Sequence, residues 1–116
     1  MSMTMKLVNL TPHAIHFRTN AHTAPYLTLP PTATPARVAV ERVPVMELEV
    51  DGVRIPVNGT KMGDVENLPP PQPGVYYVVS RVVAEAARAR TDLLIVDDTV
   101  RDEQGRIVGA RALARV

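Results

Sequence analysis

Cysteine is absent from this 116-residue chain, and so is tryptophan. The first absence removes disulfides, thiolate nucleophiles and thiolate zinc sites together, and it suits a reducing cytoplasm. The second belongs to a wider shortage, since Phe17, Tyr26, Tyr76 and Tyr77 are all the aromatic residues there are. A binder that stacks nucleic-acid bases on an aromatic platform is therefore not expected, and Val, Ile, Leu and Ala must fill the interior. Charge of one sign is missing as well. Thirteen Lys and Arg against twelve Asp and Glu leave a formal charge of +1, with no stripe of the kind that tracks a phosphate backbone. No apolar run approaches the roughly 20 residues that span a bilayer, and the opening MSMTMK lacks the apolar core of an export signal. The expected setting is cytoplasmic, without a membrane or nucleic-acid partner. Met1, Met3 and Met5 each offer a start, so residues 1–4 are expected to be an extension ahead of the fold.

What the chain has in quantity is proline. The length suits one domain spanning 1–116, and its eleven prolines fall at Pro12, between Pro25 and Pro35, at Pro44 and Pro56, and in the PPPQP run Pro69–Pro73. Proline fixes φ and donates nothing to a ladder, so these positions bound strands or sit on edges. Long helices are excluded before residue 74. Between the prolines lie strand-like runs at Lys6–Leu10, Ala14–Phe17, Ala36–Arg42, Val45–Val50 and Val53–Val57. Asp51-Gly52 predicts a type I′ hairpin turn, Asn58-Gly59 a further turn, and residues 21–35 a long irregular loop. Val75–Val79 reads as a central strand buried on both faces. Ser80 is placed to cap a helix over 81–90 whose inner face is Val82, Val83, Ala86, Ala87 and Arg90. Leu93–Val96, Thr99–Asp102 and Arg106–Leu113 complete the pattern, the last two joined across Glu103-Gln104-Gly105. The expected fold is α+β and β-rich, a mainly antiparallel sheet of about six short strands with one short helix packed on it.

Chemistry-bearing residues are scattered. His13, His16 and His22 fall close together, but no acidic residue precedes Glu41, and a strand over 14–17 sends His13 and His16 to opposite faces. No metal site or cofactor is expected from them. Thr11 and His13 suit a structural corner at Thr-Pro-His, satisfying backbone groups of a turn. Asp97 and Asp98 are adjacent and cannot cooperate from one strand face, and no nucleophile elbow, phosphate loop or metalloprotease motif occurs. No catalytic residue is assigned. The arginines are more suggestive, because guanidinium forks match phosphate geometry. Arg81 and Arg90 on the helix, and Arg101 and Arg111 on the last hairpin, are candidate ligand contacts. Asp92 and Asp102 would serve ribose hydroxyls or order the arginines. If the hairpin lies beside the helix end, Arg90 and Arg101 converge. The plainer alternative is that all of these are solvated surface charges.

Three blocks carry a family resemblance: NLTPHAI (Asn9–Ile15), GDVENLPPPQPGVYYVVSRVVAEA (Gly63–Ala86) and VRDEQGRIVGARAL (Val100–Leu113). In this order they resemble a group of short phage, prophage and bacterial proteins sharing an N-L-T-P-H start, a central V-S followed by a helix, and a V-R-D-x-x-G-x-I end. The architecture also resembles the first-described type of phage anti-Thoeris proteins, small oligomers that hold cyclic-ADP-ribose-like immune signals without cleaving them. That resemblance implies a non-enzymatic sponge in the host cytoplasm, a homo-oligomer that sequesters a small phosphorylated nucleotide-type ligand. Its ligand residues would lie near Val75–Ser80, Arg90 and Val100–Asp102. Two alternatives stay open: a protein-interaction or phage structural accessory module using the proline-rich segments, and a small nucleotide hydrolase.

Overall fold

The computed structural model describes residues 5–18 and 27–116. The expected extension at 1–4, His22 and residues 21–26 of the expected loop lie outside the described residues. Among the described residues, eight strands and one short helix follow one another as β1 (Lys6–Asn9), β2 (Ile15–His16), β3 (Thr28–Leu29), β4 (Arg37–Val50), β5 (Val53–Glu66), β6 (Val75–Val78), α1 (Arg81–Ala86), β7 (Leu93–Arg101) and β8 (Ile107–Ala114). The chain is β-rich, but its central sheet is mixed rather than mainly antiparallel. Its order is β1-β6-β7-β8, with β1, β6 and β7 parallel and only β8 antiparallel. The cause is connectivity. Between β6 and β7 the chain crosses over through α1, and such a crossover returns the next strand parallel to the first.

β6 lies inside this sheet and contributes to both faces, as its continuous apolar character predicts. Tyr77 and the following Val79 belong to a core on one face with Leu10, Ala36, Val83, Ala84, Leu93 and Ile95. Val78 points the other way, onto Ile15 and Phe17. The helix therefore covers one face, while the small β2–β3 pair covers the other. β3 is a second correction: residues 28–29 of the expected irregular loop pair with β2.

The helix is shorter than its sequence suggests. Ser80 caps it, its hydroxyl accepting from the Val83 amide, but regular structure stops at Ala86 with Ala87 as C-cap. Arg88 and Arg90 thus lie beyond its end instead of in its last turn. Of the expected inner face, Val83 is fully buried and Ala87 packs on the same core, Val82 and Ala86 are only half-buried, and Ala84, which is not part of that expectation, is buried beside Val83. The expected break between Leu93–Val96 and Thr99–Asp102 is also absent, since β7 runs through. Asp98, at φ 49°, marks a local distortion.

The largest departure is the central hairpin. β4 and β5 are each 14 residues long, where separate strands at 36–42, 45–50 and 53–57 and a turn at Asn58-Gly59 are expected. Asp51 and Gly52 do form the tip, with φ 52° and 81°, the left-handed pair that a type I′ turn requires. Asn58 and Gly59 instead stay in the ladder, opposite Pro44 and Val43, and an irregularity between Pro44 and Met46 absorbs the proline. A two-stranded ribbon has only edge strands, which is why Pro44 and Pro56 are tolerated inside it. Its root packs on the first core through Val38 and Val65, and the rest projects. The radius of gyration, 18.2 Å, exceeds the value of about 13 Å for a compact chain of this size.

Register and pleat give the projecting arm two unlike faces. Met46–Val57, Leu48–Ile55 and Val50–Val53 pair on one side, and Glu47–Pro56 and Glu49–Arg54 on the other. Val43 and Val45 extend the apolar side, since a Cβ placed on Gly59 would meet their methyl groups at 3.7 and 2.9 Å. Arg54 reaches Glu47 at 3.7 Å on the polar side.

β8 shows one close approach that only glycine allows. A Cβ on Gly109 would lie 2.8 Å from the carbonyl oxygen of His16. Gly109→Ala must therefore push β2 away from the sheet, at a cost of about 1–3 kcal/mol. The expected result is a Tm lower by roughly 5–10 °C in calorimetry.

Candidate ligand-binding cleft

The Asn9-Leu-Thr-Pro-His corner that follows β1 is organised by a buried side chain. Asn9 is 6 % exposed, and its amide nitrogen donates to the carbonyls of His13 (2.8 Å), Pro30 (3.0 Å) and Leu29 (3.3 Å). Its Oδ1 accepts from the Thr11 amide at 2.9 Å and from the Thr11 hydroxyl at 2.7 Å. That hydroxyl also lies 3.0 Å from the His13 carbonyl oxygen and 3.4 Å from the His13 amide. One carboxamide thus ties the turn after β1 to the segment that ends β3. Asn9 went unassigned in the sequence, although a polar residue closing an apolar strand just before Thr-Pro is a signal for such a role.

Beside this corner lies a cleft of about 730 Å³. Its walls are the Thr11–His16 segment on one side and Val108–Ala110 of β8 on the other, with Val79, Ser80, Ile95 and Val96 between them. The lining is mainly aliphatic. Its polar groups are the Thr11 and Thr99 hydroxyls, the His13 and His16 rings, Ser80 and Arg81. The cleft opens where β1 and β6 end and where the chain turns into α1, the edge at which ligands are commonly held in sheets with parallel strands.

His13 and His16 line one cavity. They are not separated onto opposite faces, because β2 begins only at Ile15 and leaves His13 in the corner. His16 Nδ1 lies 3.1 Å from the Thr28 hydroxyl. Among the described residues no group of three or more His, Asp or Glu is placed to hold a metal ion. No helix of the described residues is long and apolar enough to cross a membrane.

The candidate arginines do not gather. Arg81 lines the cleft, exposed, with Glu85 at 3.6 Å on the next turn. Arg90 precedes β7 and Arg101 ends it, so the two sit at opposite ends of a nine-residue strand, roughly 25 Å apart at the rise of extended chain. Their expected convergence is ruled out by the length of β7. Arg101 donates to the Gly105 carbonyl at 2.7 Å, and Arg111 to Asp98 at 3.3 Å. Asp102 shapes the final turn, its Oδ1 accepting from the Gln104 and Arg106 amides at 2.9 Å each and its Oδ2 from Arg106 at 3.0 Å.

Arg90 and Asp92 form a largely enclosed ion pair. Two parallel hydrogen bonds of 2.8 Å join guanidinium and carboxylate, and the same guanidinium donates to the Pro69 carbonyl at 2.9 Å. Tyr77 reaches Pro70 at 3.4 Å. The proline run is thus fastened to the body at its first two residues. Arg90 also borders a small cavity of about 160 Å³ with Arg88 and Arg115.

No protein-family model matches this chain, and neither a curated protein nor a solved structure does.

Two outcomes test this framework. The hydrogen bonds from Arg90 hold the Asp92 carboxyl below its usual range, and those to Asp92 raise Arg90. A depressed carboxyl stabilises the fold above its unfolded pKa, about 3.9, and that contribution is lost as pH falls through the lower folded value. Asp92→Asn is expected to lose about 2 kcal/mol at pH 7 and to show a flatter decline in urea-unfolding free energy below pH 4. For Asn9, Asp keeps the acceptor but turns a charged oxygen toward three carbonyls. Asn9→Asp should cost roughly 3 kcal/mol at pH 7, more than Asn9→Ala at about 2, as measured by urea unfolding.

Proposed function

We propose that this protein is a non-enzymatic binder of a small phosphorylated nucleotide-type molecule, held in the cleft between the Thr11–His16 corner and β8. The observation that carries this reading is the cleft's composition. An aliphatic interior large enough for a nucleoside is bordered by one unburied arginine and two imidazoles, the usual balance of a small-molecule site. The base and ribose lie against Val79, Ile95 and Ala110, and the phosphate meets Arg81 with His13 or His16. Of the arginines expected at a ligand, only Arg81 is retained in this role, since it alone of them lines the cleft.

The biological setting we infer rests on the sequence resemblance. Such a binder would act as a phage-type sponge, sequestering a cyclic-ADP-ribose-like immune signal in the host cytoplasm by tight binding and molar excess. A second reading, an interaction or structural accessory module, is favoured by the exposed apolar face of the β4–β5 arm.

Thermal-shift titration with cyclic nucleotides and ADP-ribose derivatives is expected to raise the Tm, with intact ligand recovered after heat denaturation. Arg81→Ala should weaken binding at least tenfold, the loss of one charge-assisted hydrogen bond. Recovery of a cleaved product would establish an enzyme instead, and no shift with any of these compounds would remove the nucleotide reading.

A further inference from the structure

The arm leaves an apolar face uncovered far from the cleft, and it does so on a ribbon that has little else to stabilise it. Val45, Met46, Leu48, Val50, Val53 and Ile55 are each between 44 % and 61 % exposed. Together they present roughly 500 Å² of apolar surface, near the upper limit for a patch on a monomeric protein. A two-stranded hairpin is marginal in water unless its apolar side is packed against something. Here only the root is packed.

We infer that this face is covered by the same face of a second copy of the chain, two arms stacking into a four-stranded sandwich. Three observations favour that occupant. The patch is continuous and uncharged, with Glu47, Glu49 and Arg54 confined to the other side, so it is complementary to itself under a two-fold axis. Two such faces remove about 1,000 Å² from water, the area that a specific interface must reach. Pro44 interrupts the β4 edge and Pro56 the β5 edge, which disfavours growth by strand addition. Face-to-face packing is the geometry that remains. The Glu41–Lys61 pair closes the apolar surface at its root and sets the extent of the overlap. This inference does not depend on what the cleft binds.

The full chain, 12.6 kDa, is expected to run as a dimer or a multiple of it in light scattering and sedimentation at micromolar concentration. Leu48 and Ile55 are direct cross-strand partners, so the double change Leu48→Glu with Ile55→Lys replaces an apolar pair by an opposite-charge pair that the hairpin tolerates. It should weaken self-association at least tenfold while leaving the circular dichroism of the chain unchanged. The absence of native cysteine permits a second test. Met46→Cys, on the apolar face, should crosslink between copies with a short bismaleimide, whereas Glu47→Cys, on the opposite face, should not. A wild-type chain monomeric at 100 μM, equal crosslinking from both faces, or a dimer unaffected by the double change would each overturn the inference. So would a monomer that binds lipid vesicles or a different protein through this face.

Discussion

One buried carboxamide sets the terms for the body of this protein. The buried side chain of Asn9 satisfies backbone groups from the corner after β1 and from the end of β3. A buried carboxamide left without partners is costly, so the crossing from the edge of the central sheet to the layer above it is held where these backbone groups meet it. The cleft is a by-product of that crossing. Its near wall is the corner itself, and its opposite wall is the β8 segment that Gly109 brings against β2.

Stability is distributed unevenly between body and arm. Val78 and Val83 are fully buried, within cores on opposite faces of one sheet, and the proline run is held down by the Arg90 guanidinium and the Tyr77 hydroxyl. Beyond its root the arm has a ladder, a well-formed turn and exposed ion pairs such as Arg54–Glu47, and exposed pairs contribute little. The body is a folded unit by the ordinary measure of burial. The arm is a half-finished one.

Local signals were legible in the sequence. Asp51-Gly52 announced its turn, Ser80 its cap, and the unbroken apolar run at β6 its place inside the sheet. What escaped were consequences of tertiary arrangement. Pro44 and Asn58-Gly59 look like punctuation, but each strand of a two-stranded ribbon has one open side, where the missing N–H of a proline breaks no ladder. The parallel pairing of β1 with β6 has no local signature, because the two strands are joined only through everything between them. The expected meeting of Arg90 and Arg101 failed for want of one fact, that β7 is a single long strand. His13 and His16 were separated by assuming two more residues of strand than the corner allows. Arg81 was among the candidates, while the aliphatic lining of the cleft, drawn from segments distant in the chain, could not be assembled from spacing.

The parallel pairing of the first strand also governs the order in which the molecule can be built during synthesis. Lys6 pairs with Val75, and β6 in turn pairs with β7 at Leu93, so β1 waits for about seventy further residues before it has a neighbour. Contacts of such long sequence separation form slowly. The β4–β5 hairpin closes on itself across two residues and needs nothing downstream, on a timescale of about 1–10 μs for an isolated hairpin. The nascent chain therefore displays its water-exposed valines and isoleucine before it owns a core.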